Sequence, residues 1–161
     1  MSKILIMTNH SYMLYRFRLE LIQEMRKAHE VVLSMPFVGH EEDFQALGIR
    51  CIQTEVDRRG MNKTDFRLFL TYRELLKAER PDMVITYSIK PNVYGGLACR
   101  MAGVPYCANV QGLGTAFQKK GLARLVTVLY KLALGKAHTV FFENEANAAE
   151  FRSRKIVPAE K

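Results

Sequence analysis

Lys3-Ile4-Leu5-Ile6-Met7-Thr8, running directly into Asn9-His10-Ser11-Tyr12 and then Met13-Leu14-Tyr15-Arg16-Phe17, is the stretch on which the fold turns. Its first part is a short apolar run bounded by polar residues, which reads as a strand buried on both faces. After the polar break, Met13, Phe17, Leu21 and Met25, with Leu14 and Ile22, recur at helical spacing and predict a helix with its apolar stripe inward.

The same unit returns along the chain. Further strands are predicted at Glu30–Met35 (stopped by Pro36), Cys51–Val56, Met83–Tyr87, Pro105–Val110 and Thr139–Phe142. Between them lie a short helix at Glu41–Leu47 closed by Gly48, and a charged loop from Asp57 to Lys63. A helix capped by Thr64 runs to Glu79, with Phe66, Phe69, Leu70 and Leu76 expected inward. Another helix starts near Pro91 and stops at Gly103. Leu122, Leu125, Val126, Leu129, Leu132 and Ala133 mark a strongly amphipathic one, and Asn144–Arg152 the last. Strands separated by helices at this spacing predict an α/β domain, a doubly wound parallel sheet of about six strands in the order 3-2-1-4-5-6.

The 161 residues carry a formal charge of +8, and it is unevenly placed. From Met83 to Phe142 there is no Asp or Glu, while Lys90, Arg100, Lys119, Lys120, Arg124, Lys131 and Lys136 are all basic. Such a segment beside glycine loops predicts an anionic partner: a phosphate, a polyanion or a membrane surface. No apolar run reaches the roughly 18–20 residues needed to span a bilayer, and the first residues do not form a secretory leader. Cys51, Cys99 and Cys107 have neither metal nor disulfide spacing and read as core thiols of a cytoplasmic protein.

Ligands of doubly wound sheets bind beyond the carboxyl ends of the strands, where helix N-termini favour anions. The loops there are Asn9-His10-Ser11-Tyr12, Ser88-Ile89-Lys90-Pro91-Asn92 and Gln111 to Lys120. The first lacks the dinucleotide glycine pattern. His10 is open to two roles, an acid/base or phosphate donor, or a polar loop residue bonded to backbone; His29, His40 and His138 read as surface or capping residues. Lys90 would set an ammonium at the mouth of the sheet beside Asn92, or else be solvated with Asn92 as a cap. Gly95 and Gly96 imply close helix packing. Gly112 and Gly114 would allow a sharp turn with backbone N–H groups facing a ligand. Lys120, Arg124 and Lys131, with Lys119 adjacent, form a basic stripe that suits either an anionic bilayer or a solvated face. No metal constellation, P-loop or nucleophile elbow is present.

Asn9-His10-Ser11-Tyr12-Met13-Leu14-Tyr15-Arg16-Phe17-Arg18 resembles the first loop and helix of bacterial family 4 glycosyltransferases. So do Lys90-Pro91-Asn92-Val93-Tyr94-Gly95-Gly96 onward to Pro105, then Gly112-Leu113-Gly114-Thr115-Ala116-Phe117, Leu129–Ala133 and Val140–Asn144, all in order. The resemblance is to members that extend lipid-linked sugars, which have the GT-B architecture of two Rossmann-like domains facing a cleft. It implies that residues 1–155 are the N-terminal, acceptor-binding domain, that 156–161 begin an interdomain linker, and that the C-terminal donor domain lies outside this sequence.

The implied reaction is a metal-independent retaining transfer from a nucleotide sugar to a polyprenyl diphosphate-linked saccharide, with no cofactor. The donor diphosphate itself would help deprotonate the acceptor hydroxyl. Carried over, Asn9, His10 and Ser11 would approach the reacting groups, Lys90 and Asn92 would line the acceptor side, and Gly112 and Gly114 would form the cleft loop. Gln111 stands where relatives often have His or Thr, which leaves its contact with the transferred sugar open. No single catalytic residue is assigned. The resemblance also implies a peripheral place at the inner face of the plasma membrane, with Lys119, Lys120, Arg124 and Lys131 as contacts, and no nucleic acid. Competing readings are a sugar-nucleotide epimerase half, a basic nucleic-acid-binding module and a non-catalytic lipid-sugar-binding module.

Overall fold

The computed structural model describes residues 1–57, 64–112 and 120–158, without the side chain of residue 120. The chain alternates strand and helix throughout: β1 (Ser2–Met7), α1 (Ser11–Arg26), β2 (His29–Met35), α2 (Glu41–Ala46), β3 (Arg50–Gln53) and α3 (Thr64–Glu79). It continues with β4 (Met83–Tyr87), a π-helical turn (Pro91–Gly95), α4 (Gly96–Ala102), β5 (Tyr106–Val110), α5 (Lys120–Leu134), β6 (Thr139–Phe142) and α6 (Glu145–Ser153). All pairings are parallel and the sheet order is β3-β2-β1-β4-β5-β6, as the alternation predicts.

Each central strand divides its side chains between two cores. Leu5, Met7, Val84 and Ala108 pack with Leu68, Tyr72, Val126, Tyr130 and Phe151 on one face. Ile4, Ile6, Leu33 and Met35 pack with Leu14, Ile22 and Phe44 on the other. Right-handed crossovers explain this split. Steps from β1 to β3 put α1 and α2 on one face, while steps toward β6 put α4 and α5 on the opposite one. The α1 side of β5 and β6 is therefore left without a covering helix among the described residues, while Tyr87 of β4 is still buried against α1. Ile85 and Cys107 are only half-buried on that side, and Phe141 is 52% exposed.

Several boundaries and faces differ from the sequence reading. The third strand ends at Gln53 rather than Val56, and Thr64 lies inside α3 rather than capping it. On α1 the inward residues are Leu14 and Ile22, whereas Met13, Phe17 (60% exposed) and Leu21 face outward. On α3, Asp65, Leu68, Tyr72, Leu75 and Leu76 are buried, and Phe66 and Leu70 are exposed. On α5, Ala123, Val126, Tyr130, Ala133 and Leu134 are buried, and Leu125, Val128 and Leu132 are exposed. The apolar arcs of these helices are wider than their contact with the sheet, so periodicity alone selects the wrong edge.

The glycine pair after β4 fits tightly, as its sequence position implies. A Cβ on Gly95 would lie 2.9 Å from Met7 Sδ and 3.2 Å from Thr86 Cγ2. One on Gly96 would lie 3.3 Å from the Tyr106 ring and 3.4 Å from Ala133. By contrast, Gly112 has no heavy atom of the described residues within 4 Å of such a Cβ, and its φ lies outside the left-handed region. The rest of the expected glycine turn, through Gly114, lies outside the described residues. Gly95→Ala is expected to lower stability by about 1–3 kcal/mol through overpacking. Gly112→Ala should change it by less than about 1 kcal/mol; urea titration of both variants distinguishes the sites.

Candidate functional site at the carboxyl end of the sheet

The loops after β1 and β4, with Gln111 and Gly112 just after β5, lie at the carboxyl end of the sheet, beside the break between β1 and β4 where the chain reverses its direction of travel. In the first loop, His10 caps α1: its Nδ1 accepts from the Met13 N–H at 3.4 Å. An accepting Nδ1 leaves the proton of the neutral imidazole on Nε2. Ser11 is buried and its Oγ accepts from the Val38 N–H at 2.9 Å, tying the loop after β2 to the start of α1. Asn9 sits half-buried between strand and cap. Of the two roles open to His10, the backbone bond is present.

The loop after β4 is built differently from the expectation. Lys90 does not project an ammonium from the mouth of the sheet. It is buried, and its Nζ donates to Asp65 Oδ1 at 2.6 Å, with Tyr94 Oη donating to Asp65 Oδ2 at 3.1 Å. Burial, followed by the Asp65 carboxylate, pushes the Tyr94 phenol well above its ordinary range. Taking a lysine and an aspartate out of water together is tolerable because each neutralises the other. Asp65 comes from the first turn of α3, so the carboxylate-free segment receives its counter-charge from another element.

Asn92 is likewise turned inward and is not a helix cap. Its Oδ1 accepts from Thr86 Oγ1 at 2.7 Å and its Nδ2 donates to the Asn109 carbonyl at 2.9 Å. Burial also raises the Tyr130 phenol. The Asn92 amide thus joins β4 and β5 at the point where the chain makes a π-helical turn. Ser88 holds a left-handed backbone (φ 75°), and its Oγ donates to Gln111 Oε1 at 3.0 Å. Gln111 therefore tethers the end of β5 to the loop after β4. A strained serine held by such a bond is a feature of precise loops.

Gly114 and Lys119 lie outside the described residues, as does the Lys120 side chain. Arg124, four residues into α5, and Lys131, near its far end, are exposed. Arg100, also in the basic segment, donates to the Leu132 carbonyl at 2.7 Å. Among the described residues, no three His, Cys, Asp or Glu side chains converge as metal ligands. No described helix is long and apolar enough to cross a membrane.

Sequence reasoning missed Asp65 and Thr86 as parts of this end of the sheet. Asp65 carried one readable signal, an acid in the first turn of a helix, but nothing local pairs it with a lysine 25 positions later.

Residues 3–144 match the glycosyl transferase 4-like family. A relative from Campylobacter jejuni, N,N'-diacetylbacillosaminyl-diphospho-undecaprenol alpha-1,3-N-acetylgalactosaminyltransferase, is 31% identical over 148 residues, covering 87% of this chain and 39% of its own length. The chain therefore spans well under half of that protein. Among solved structures, S. aureus MnaA with UDP superposes with a TM-score of 0.70 at 18% identity, over 99% of this chain and 43% of that one. Anabaena Alr3699/HepE with UDP and glucose gives 0.66 at 15% identity, over 96% and 41%. A Listeria monocytogenes UDP-N-acetylglucosamine 2-epimerase gives 0.68 at 13% identity, over 95% and 41%. At these identities the likeness establishes the fold alone.

The inward network makes a stability prediction. Asn92→Ala strands the Thr86 hydroxyl and the Asn109 carbonyl, and is expected to cost about 2 kcal/mol or more. His10→Ala should cost at most about 1 kcal/mol, the worth of a helix cap. Chemical denaturation of the two variants tests the order.

Proposed function

The chain belongs to the glycosyl transferase 4-like family, and from that premise we propose that it is the N-terminal, acceptor-binding domain of a glycosyltransferase that extends lipid-linked saccharides at a membrane. The Campylobacter relative, named for an undecaprenol diphosphate acceptor, supports this substrate class. The chain's 39% share of that relative, together with the α1 side of β5 and β6, which no described helix covers, supports a second domain that binds the nucleotide sugar. A parallel sheet is ordinarily covered on both faces, so the exposed Phe141 is in keeping with that reading.

The proposed chemistry is a retaining transfer without metal or cofactor. The sugar leaves the nucleotide diphosphate for an acceptor hydroxyl, whose proton passes to the departing diphosphate oxygen. On this reading Asn9, His10, Gln111 and Gly112 meet the reacting groups, and their position at the strand ends beside the chain reversal supports it. Ser11, Lys90 and Asn92 act from beneath, holding the loops in place; this revises the direct acceptor contact expected of Lys90 and Asn92. The protein's contribution is position and electrostatics rather than a nucleophile.

The observation that carries the membrane part is the outer face of α5. Leu125, Val128 and Leu132 are exposed on one strip, with Arg124 and Lys131 alongside. An apolar strip flanked by cations is the pattern of a surface that rests on anionic lipid, each cation adding about 1 kcal/mol near the bilayer. The cytoplasmic, peripheral location follows from the same reading.

Flotation with vesicles of phosphatidylglycerol and phosphatidylcholine is expected to carry the chain upward, and pure phosphatidylcholine is not. Replacing Lys119, Lys120, Arg124 and Lys131 with Ser should abolish flotation while the circular dichroism spectrum stays unchanged. Flotation that persists in the quadruple variant contradicts the membrane surface. The 161-residue chain by itself should transfer no sugar from any nucleotide sugar; measurable turnover contradicts the assignment as one domain of a two-domain enzyme.

A further inference from the structure

The loops after β1 and β2 carry an aromatic ladder that the reading above leaves unused. Phe44 of α2 is fully buried, and Tyr15 of α1 meets it edge-on at 5.3 Å. His40 stacks flat on Tyr15, with centroids 4.2 Å apart and planes 5° from parallel. Tyr12 lies 5.2 Å from His40, tilted by 37°, and 6.2 Å from His10, edge to face. The series therefore climbs from the core to Tyr12, which is 41% exposed at the carboxyl end of the sheet.

The ladder is fixed in place. The Val38 N–H donates to Ser11 Oγ at 2.9 Å and the Gly39 N–H to Glu41 Oε2 at 2.8 Å. Gly39 has φ 120°, a backbone that side chains rarely adopt, and a Cβ there would touch the Tyr12 ring at 3.8 Å. His40 itself holds a left-handed backbone (φ 65°), with Nδ1 2.5 Å from Asp43 Oδ2. Strain of this kind persists only where neighbours enforce it, and here it places an imidazole beside an exposed phenol.

A rigid aromatic ring with polar atoms at its edge suits one class of partner. A sugar ring offers C–H groups on one face and hydroxyls around its rim. It therefore wants an apolar plate flanked by hydrogen-bonding groups. The plate is Tyr12. The edge groups are its hydroxyl and His40 Nε2, the nitrogen not committed to Asp43. Charge argues against a phosphate at this spot, because Glu41, Glu42 and Asp43 fill the first turn of α2.

We propose that Tyr12 is the platform on which a sugar ring of the acceptor stacks, with His40 setting that ring's orientation from its edge. This rests on the acceptor-binding reading and adds to it the residues that select the saccharide. Tyr12 is then a specificity-determining contact, and His40 a second contact held by Asp43 and Tyr15.

Saturation-transfer NMR on this chain tests it, using millimolar methyl glycosides of glucose, galactose and their 2-acetamido derivatives as probes. Transfer to ring C–H protons of at least one glycoside is expected. It should be kept in Tyr12→Phe and weakened about fivefold in Tyr12→Ala, the effect of losing one aromatic contact. His40→Ala should keep binding but level the differences between glycosides. Amide spectra of each variant check that the fold is intact. Transfer unchanged in Tyr12→Ala, or no transfer to any glycoside, overturns the platform. So does a Tyr12-dependent signal from farnesyl diphosphate methyl groups in place of the glycosides, which would make the rim a lipid contact. The two readings fail separately. A chain that ignores anionic vesicles yet contacts glycosides through Tyr12 loses the membrane and keeps the platform; one that floats but binds no glycoside at Tyr12 does the reverse.

Discussion

The ion pair between Lys90 and Asp65 is the constraint on which the working end of this domain depends. It is buried, it spans α3 and the loop after β4, and it recruits the Tyr94 hydroxyl as a third member. A lysine beside an uncharged segment would otherwise seek water and pull that loop outward. Because Asp65 meets it inside, the chain can run directly into the π-helical turn, and Asn92 can reach the β5 backbone. Gly95 and Gly96 complete the arrangement by letting that turn sit against Met7, Thr86 and Tyr106 without displacing them. Charge pairing, amide bonding and small residues thus fix the same few positions, which is how a loop at a binding cleft is kept in one conformation.

This changes the meaning of the basic segment. Its uniform sign in the sequence suggests a single electropositive surface, but the fold separates it into parts with different roles. Lys90 is neutralised internally, and Arg100 is spent on a carbonyl at the end of α5. Arg124 and Lys131 remain at the surface beside exposed leucines and a valine. On the proposed reading the membrane is met by α5 and the saccharide by the loops after β1 and β2, so the lipid and sugar parts of one acceptor would touch different elements. The acidic first turn of α2 and the basic outer face of α5 agree with that division.

Much of the architecture was legible in the sequence. Four- to seven-residue apolar runs at regular spacing specify a parallel sheet, and the handedness of crossovers then leaves few strand orders. The paired glycines after Asn92 also announced their close packing. What could not be read was orientation. Met13, Phe17 and Leu21 have the spacing of a core stripe, yet the core contact of α1 is made by Leu14 and Ile22, one step around the helix. Phe66 and Leu70 lost the inward face of α3 to Asp65, Leu68 and Tyr72 because Asp65 has a partner across the fold. The site residues show the same limit: the turns out of β1 and β4 were legible, but Lys90 and Asn92 point into the protein. Local chemistry suggested exposure, and distant partners decided otherwise. The family match identifies the chain's relatives, while the side-chain directions come only from the packed structure.

The most direct test of the account is a double-mutant cycle on Lys90 and Asp65, read by equilibrium unfolding. If the pair is the internal anchor described, Lys90→Met and Asp65→Leu each cost about 3–5 kcal/mol by stranding a buried charge. The double variant should then be no worse than either single one, giving a large favourable coupling. Costs that simply add, or a Lys90→Met protein as stable as the parent, would mean that the two charges do not depend on each other. Lys90 would then be available at the cleft, and the inward-held loop would have to be abandoned.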